Sequence, residues 1–407
     1  MKNIDRKKRI QVIVSCAGLA ASSLGLIINV FGVFFTPLSS ALHSGRGTIS
    51  LASTLTSLFL GFASALTVKT VQEKPLQKVL LLSVTITCLS TIGLAYSKNL
   101  LFLYVFSILR GFCASFFTTH VVAFIISRWF ISDRGTITGL VMAFSGIAGA
   151  LMSPILNQII DLYGYRFALI LSAVLIFLFS LPAILTLSSS PEKEGYLPYE
   201  RKEKQKDGKD GSFKQIEFSR NSSVFISLMI VSFIIQFLCS ICQHLSGYGQ
   251  SLGFSSAQGA MMISAAMIGN ISGKFLSGIL SDRIGAVKAC IVLLIGFLTG
   301  LFILMNFQKE YLLMLVGSLL LGMSYAGAIS LSNVCFSLYD SRDYGSAYST
   351  LTIIINTSGA IAVSLIGYAY DVFSSYQPIL ILCLGMGIIA LLCMIYINRK
   401  TSKQKGQ

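Results

Sequence analysis

Two positively charged residues, Arg110 and Lys274, lie inside long apolar stretches of this sequence. Lys274 follows the small residues of GNISG (269–273), and Arg110 lies in LRGFCAS (109–115). All sixteen Asp and Glu residues fall in polar loops or at the ends of apolar stretches. Because a charge in an apolar environment is costly without a partner, such cations favour a site for an anion.

The composition indicates a membrane protein. The chain is 54% hydrophobic and 12% charged, whereas about 25% charged residues is typical of soluble proteins. A membrane-spanning helix needs roughly 20 mostly apolar residues. The sequence predicts an all-α integral membrane protein with twelve transmembrane helices, at about 12–36, 45–68, 76–96, 100–127, 135–159, 165–187, 223–247, 257–280, 287–307, 311–336, 345–369 and 376–397.

The distribution of Lys and Arg predicts the orientation. Placing the N-terminus inside puts 25 of the 31 basic residues in cytoplasmic segments and four outside. Since cytoplasmic loops are enriched in Lys and Arg, we expect both termini to be cytoplasmic. The formal charge of +15 then reflects insertion topology and contact with anionic lipid, and we expect no nucleic-acid partner.

A charged, Gly- and Pro-containing segment divides the chain into two halves. Residues 1–187 form a predicted N-terminal six-helix bundle, 188–222 a hydrated and partly flexible cytoplasmic linker, and 223–407 a C-terminal six-helix bundle. The halves also share short patterns, such as SDRGTITG (132–139) and SRDYGSAYS (341–349). Repeats of equal handedness are typical of one large class of secondary transporters.

The segment GILSDRIGAVK (278–288) resembles the loop signature of the major facilitator superfamily, which implies that fold with its two six-helix pseudo-repeats. In this loop we expect Gly278 and Gly285 to serve the gate. Gly278 permits close helix approach, and Asp282 faces a neighbouring helix N-terminus. Arg283 is expected to pair with a carboxylate across the cytoplasmic gate. The corresponding first-half segment, GFASALTVKTV (61–71), has Ala65 and Leu66 where the second-half loop has Asp282 and Arg283. Only the second half should therefore form the charged gate contact.

Two further segments resemble the monocarboxylate and oxalate–formate exchanger branch: WFISDRGTITGLVMAFSGIAG (129–149) and GVFFTPLSS (32–40). The resemblance implies that the cation four positions before Gly278, which is Lys274, contacts a carboxylate substrate. A second lysine expected in the eleventh span is replaced by INTSGA (355–360), which contains Asn356. This replacement favours a monoanion over a dicarboxylate.

Both cations have alternative interpretations. Lys274 can snorkel along its helix to the headgroups. Its span runs inward, however, and helical side chains tilt towards their own N-terminus, so Lys274 should lean towards the midplane and a cavity. Arg110 resembles the R-G element of the superfamily's fourth span, and structural and substrate-binding roles remain open for it.

Other polar residues in the spans, Asn270 among them, are weaker candidates, because such side chains commonly tie transmembrane helices together. Cys239 and Cys242 form a C-x-x-C pair, but we interpret them as small buried hydrophobic residues. Trp129 is predicted to be an interface anchor. The additional candidates for substrate binding are Asn29, His120, Tyr325 and Asn356, and those for a helix-packing hinge are Gly139, Gly146, Gly149 and Pro154.

The predicted function is secondary transport of a small organic anion, most simply a monocarboxylate, by alternating access. Protons are the candidate coupling ion, and anion exchange is the other option. A drug or metabolite efflux pump of the same fold and a non-transporting sensor are the alternatives. We expect no enzymatic activity, metal or cofactor, and a location in a bacterial plasma membrane.

Overall fold

The computed structural model describes residues 2–3, 5–131, 134–199, 219, 221–339 and 341–405. The chain divides into two compact units, Met1–Lys204 and Gln205–Gln407, and helices dominate both. Residues 200–218 and 220 of the predicted linker lie outside the described residues.

Eleven described helical stretches are long and apolar enough to cross a membrane, and one of them, Thr136–Thr186, has 51 residues. This stretch turns at Gly164, where φ is 82° and ψ is 161°, so it crosses twice. The twelve-span prediction is therefore confirmed. In chain order the spans are Arg6–Ala41, Arg46–Glu73, Leu76–Ala95, Leu100–Trp129, 134–163, 165–186, Ser223–Ser251, Ser256–Ile284, Ala286–Asn306, Tyr311–Leu338, Ser341–Phe373 and Gln377–Lys405, numbered 1 to 12 below.

Four spans are broken by tighter or wider helical turns, and these are the first and fourth of each unit. The breaks were not predicted from the sequence. A lapse in regular i to i−4 hydrogen bonding often marks a functional position. The irregular segments are the π-helix Ala21–Asn29 and the 3₁₀ helix Phe31–Phe34 in span 1, the 3₁₀ helices Ser115–Phe117 in span 4 and Ile241–His244 in span 7, and Met323–Ala326 in span 10.

Polar side chains fix where several spans begin. Asp5, Asn99, Ser222 and Ser255 precede spans 1, 4, 7 and 8. Each side chain accepts a hydrogen bond from the backbone N–H three residues later, at 2.7, 3.0, 3.2 and 3.2 Å respectively. Such caps satisfy a donor that has no partner within the helix. Span 1 consequently begins at Arg6 rather than near residue 12.

The first part of the predicted linker is ordered against the first unit. Tyr196–Leu197 pairs in parallel with Lys2–Asn3. The Glu194 carboxylate forms an ion pair with the Lys8 ammonium at 2.5 Å, and the Arg9 guanidinium lies 4.3 Å from the ring centroid of Tyr199. Residues 188–199 are therefore an ordered part of the predicted linker, and its partial flexibility stays a prediction for the rest. We call the pairing of residues 2–3 and 5–9 with 188–199 the terminal strap.

Trp129 also belongs to this region and is not an interface anchor. Its side chain is fully buried, and its Nε1 donates a hydrogen bond to the Ser188 carbonyl at 2.9 Å. The Lys8 ammonium lies 5.4 Å from its ring centroid. The terminal strap covers the indole ring, which explains why Trp129 is enclosed by protein.

Glycines bring spans 8 and 10 into backbone contact, but Gly278 is not among them. A Cβ atom on Gly269 would overlap the Leu319 carbonyl, and one on Gly322 would overlap the Ala266 carbonyl. A Cβ on Gly278 would meet no atom within 4 Å among the described residues. Gly278 follows Gly269 by nine residues, which places it on the opposite helix face. The predicted close approach at Gly278 is wrong.

The predicted hinge in span 5 also needs correction. Gly139 has open space around it in the described structure, so it does not seal a helix contact. Close packing occurs instead between Gly25 of span 1 and Ser145 with Ala148. Gly146 and Gly149 are buried in the same segment, and the backbone stays helical through Pro154. A hinge role for these last three residues stays a prediction.

Gly269→Ala should destabilise the protein, because the added Cβ would press against the span 10 backbone. We expect the free energy of unfolding, measured by SDS titration in detergent, to fall by about 1–3 kcal/mol. Gly278→Ala is the matched control, since the same methyl group enters open space there. Equal losses in the two variants would contradict this packing.

Candidate functional site

Lys274 lies where spans 7, 8 and 10 of the second unit meet. The preceding residue, Gly273, packs against the backbone of Met323, which begins the break in span 10. The Lys274 ammonium lies near the Cys239 thiol of span 7. Its side chain keeps partial solvent access, and the open space over Gly278 lies one turn away on nearly the same face. This position fits a cavity wall better than a headgroup contact.

Tyr325 lies in the same cluster, as part of the span 10 break. It lies near Cys239 and Cys242, and Ser324 neighbours both thiols. The structure therefore brings Tyr325 close to Lys274 through Cys239. Sequence reasoning treated the two cysteines as packing residues. The helix end at Ser240, which lies between the two cysteines, was not visible in the sequence.

Asn270 is a member of this cluster that sequence reasoning ranked low. It lies one turn before Lys274 and is 1% exposed. Its Oδ1 has no hydrogen-bond partner among the described residues, and its Nδ2 lies 3.8 Å from the Met267 sulfur. A buried side-chain amide with so few hydrogen-bond partners is unusual, which favours a position that faces a ligand.

Arg110 lies in the first unit, one turn before the span 4 break, and is 2% exposed. Its guanidinium carbon is 4.3 Å from the ring centroid of Phe31. The next residue, Gly111, packs against Thr56, whose hydroxyl donates to the Ser107 carbonyl at 3.2 Å. Span 2 therefore holds span 4 in one orientation and fixes where Arg110 points.

Hydrogen-bond donors on Arg110 are left without acceptors. Nε and Nη2 are buried and have no partner among the described residues. The hydroxyls of Ser115 and Thr118, in and after the break, are in the same situation. A buried donor that loses its hydrogen bond with water costs about 1–3 kcal/mol, and more when it is charged.

The other predicted substrate residues are dispersed. The Asn29 amide donates to the Ser145 carbonyl at 3.2 Å, so it ties span 1 to span 5. His120 is partly exposed at the start of the helix that follows the span 4 break. Asn356 is exposed, whereas Ser358 faces span 7 and donates to the Phe233 carbonyl at 2.6 Å. The structure does not bring Asn356 to the Lys274 cluster.

The predicted gate loop joins spans 8 and 9. Gly285 has φ 89° and ψ 149°, a conformation that favours glycine and turns the chain between the two helices. Asp282 and Arg283 are exposed. Arg283 forms no ion pair with a carboxylate of the described residues, so its predicted pairing is not formed here.

A family model described as the Major Facilitator Superfamily matches residues 17–245 and again 225–407. The chain belongs to the major facilitator superfamily. The two matches agree with two repeats of six spans, each broken at its first and fourth span. This membership makes the protein a multi-pass membrane transporter.

Relatives and solved structures agree with this membership. The chain is 23% identical over 395 residues to the uncharacterized MFS-type transporter YcxA of Bacillus subtilis, covering 92% of each chain. It is 25% identical over 142 residues to the glucose transporter GlcP of Staphylococcus epidermidis, covering 35% of this chain and 32% of that one. A crystal structure of a variant of the nucleoside transporter NupG aligns with a TM-score of 0.74 at 13% identity, covering 95% and 99%. That likeness concerns the fold.

Each unit of this superfamily transporter thus carries one membrane-embedded cation beside a broken span. In the second unit, the Lys274 cluster offers a positive charge, a phenol, two thiols and an amide. In the first unit, Arg110 offers donors without acceptors. Such groups can bind and orient an anion.

Asn29→Ala should weaken the tie between spans 1 and 5, because the Ser145 carbonyl loses its amide donor. We expect the free energy of unfolding to fall by about 0.5–1.5 kcal/mol, as for other hydrogen bonds between transmembrane helices. Asn356→Ala, at an exposed position, serves as the control and should leave stability unchanged. If SDS titration gives the larger loss for Asn356→Ala, the assignment of Asn29 as a helix tie is wrong.

Proposed function

We propose that this transporter moves a small organic anion, a monocarboxylate, and that Lys274 is its charged partner. The observation that carries the proposal is the position of Lys274 at the break of span 10, beside Cys239 and the Tyr325 segment. The site is positive and polar and lies within the membrane-spanning part of the second unit.

Charge balance supports an anionic substrate. A lysine near the centre of a membrane span costs about 3 kcal/mol on insertion scales. All sixteen Asp and Glu residues of the chain lie in loops or at span ends. None of them therefore occupies a position in the middle of a span. A bound carboxylate would bring a negative charge to this depth and would offset part of the cost of burying Lys274 during transport.

The identity of the neighbours supports a cavity over snorkelling. A snorkelling lysine would extend along its own helix to the nearer headgroups. Lys274 instead interacts with a thiol on span 7, and Gly273 holds its backbone against span 10. Tyr325 and Asn270 add polar groups that can orient the uncharged part of a substrate. Glucose transport by GlcP is a property of that relative, whose match covers about a third of this chain.

The coupling must work without an acidic residue in the middle of a span, because the carboxylates lie in loops or at span ends. A proton carried by the substrate, His120, or exchange against a second anion are the routes that these residues allow. We also propose that both termini face the cytoplasm of a bacterial plasma membrane, on the charge asymmetry of the loops. The exposed Asp282 and Arg283 then belong to a cytoplasmic gate that pairs in another conformation.

The test is a thermal-shift titration of the purified protein with sodium propionate, lactate and pyruvate. The experiment compares wild type with Lys274→Gln and with the control Lys288→Gln. Lys288 is an exposed lysine near the start of span 9. Ligand at 100 times its dissociation constant stabilises the folded state by about 2.7 kcal/mol. We expect one carboxylate to stabilise wild type and the control, and Lys274→Gln to lose the response.

Equal stabilisation of Lys274→Gln and wild type would refute the role of Lys274. Stabilisation by apolar or cationic drugs in place of carboxylates, unchanged in Lys274→Gln, would favour the efflux pump instead.

A further inference from the structure

We propose that Arg110 is a second anion contact in the first unit, and that its free side edge selects a planar carboxylate. This inference rests on the proposed function and adds a residue that determines specificity. It also assigns Arg110 a binding role, where sequence alone left structural and functional roles open.

The two unpartnered nitrogens are adjacent on the guanidinium. Nε and Nη2 form one edge of the planar group, and their N–H bonds point in the same direction. This edge matches the two oxygens of a carboxylate in a bidentate arrangement. Both nitrogens are buried and lack acceptors among the described residues. The unpaired donors of Arg110 are therefore those that a carboxylate would engage together.

The contact with Phe31 leaves the two nitrogens of this edge without a hydrogen-bond acceptor in the described part of the chain. The ring lies against the guanidinium, with 4.3 Å between the guanidinium carbon and the ring centroid. An aromatic ring offers π electrons and no carbonyl or carboxylate oxygen, so it does not replace an oxygen acceptor for Nε and Nη2. Phe31 thus holds the group in orientation without occupying its donors.

A purely structural role does not account for this environment. An arginine that ties helices together donates to carbonyls or carboxylates, and the resulting bonds offset the cost of burying its charge. At Arg110 the aromatic ring offers no such acceptor for Nε and Nη2. Burying these two unpaired donors costs free energy, and an incoming oxyanion that accepts their hydrogen bonds would remove that cost.

The surroundings also provide a route to the edge. Phe31 begins a 3₁₀ segment directly after the π-helix of span 1. Irregular turns of this type often act as hinges. Span 4 is held against span 2 at Gly111, and span 1 is held against span 5 at Gly25 and Asn29, so only the Phe31 side chain needs to move. A shift of Phe31 would uncover the Arg110 edge while its backbone stays in place.

The experiment compares Arg110→Lys, Arg110→Met and Arg166→Lys with wild type in full-length purified protein. Arg166 is exposed and controls for the chemistry of the substitution. Melting temperatures are measured without ligand and with increasing sodium propionate, lactate or pyruvate at constant ionic strength. Lysine keeps the charge but not the two-donor edge, so Arg110→Lys should raise the half-saturating carboxylate concentration at least ~10-fold.

Arg110→Met provides an independent readout that a structural role would not give. Removing an unsatisfied buried cation should raise the melting temperature of the ligand-free protein and abolish the response to carboxylates. A lower ligand-free melting temperature for Arg110→Met overturns the inference, because it identifies Arg110 as a helix tie. An unchanged titration of Arg110→Lys overturns it as well.

The two proposals can fail separately. If Lys274→Gln loses the response and Arg110→Lys keeps it, the proposed function stands and Arg110 is not a carboxylate contact. If none of the three salts stabilises wild type, both proposals fall.

Discussion

Within hydrocarbon, every backbone N–H and C=O must find a partner inside the protein, and this constraint shapes both units. Most spans satisfy it with unbroken helices. Spans 1, 4, 7 and 10 depart from it through 3₁₀ or π turns. Irregular backbone at membrane depth is tolerated where it is buried in protein or lines a water-filled cavity. The breaks therefore indicate where polar chemistry can exist in an otherwise apolar fold, and both embedded cations lie beside one.

The two cations differ in what they can recognise. Lysine is a compact charge on a flexible stem, so Lys274 can follow a substrate that moves within its cavity. Arginine is planar and always charged, so Arg110, held by Phe31 and by the packing of Gly111, can distinguish anions by shape. A transporter needs attraction that holds its cargo and still releases it. Two contacts of different rigidity, in separate units, are compatible with both requirements.

Much of this architecture could be predicted from sequence, because hydropathy and charge report directly on insertion. The twelve spans and the isolated cations followed from composition and spacing. The helix breaks did not, since SSLGLIINVFG (22–32) and GMSYAGA (322–328) have ordinary apolar compositions. The role of Gly278 was wrongly predicted because a sequence motif identifies a glycine position but not the helix face on which it lies. The close contacts with span 10 are made by Gly269 and Gly273 instead.

One charged segment makes contacts that its composition does not indicate. The linker residues 188–199 have a composition typical of flexible chain, yet Glu194 has a specific partner in Lys8, far away in sequence. Asn270 was ranked low because a lone asparagine in a span most often ties helices together. Only its three-dimensional surroundings reveal that its Oδ1 lacks a donor among the described residues.

The terminal strap has a consequence for how the protein is made. Its strand Lys2–Asn3 pairs with Tyr196–Leu197, which the ribosome reaches only after all six spans of the first unit. At a synthesis rate of roughly 5–20 residues per second, the tail waits about 10–40 s for its partner. Closure of the strap therefore reports that the first unit is complete. The strap is therefore a contact that can form only after the sixth span has been synthesised.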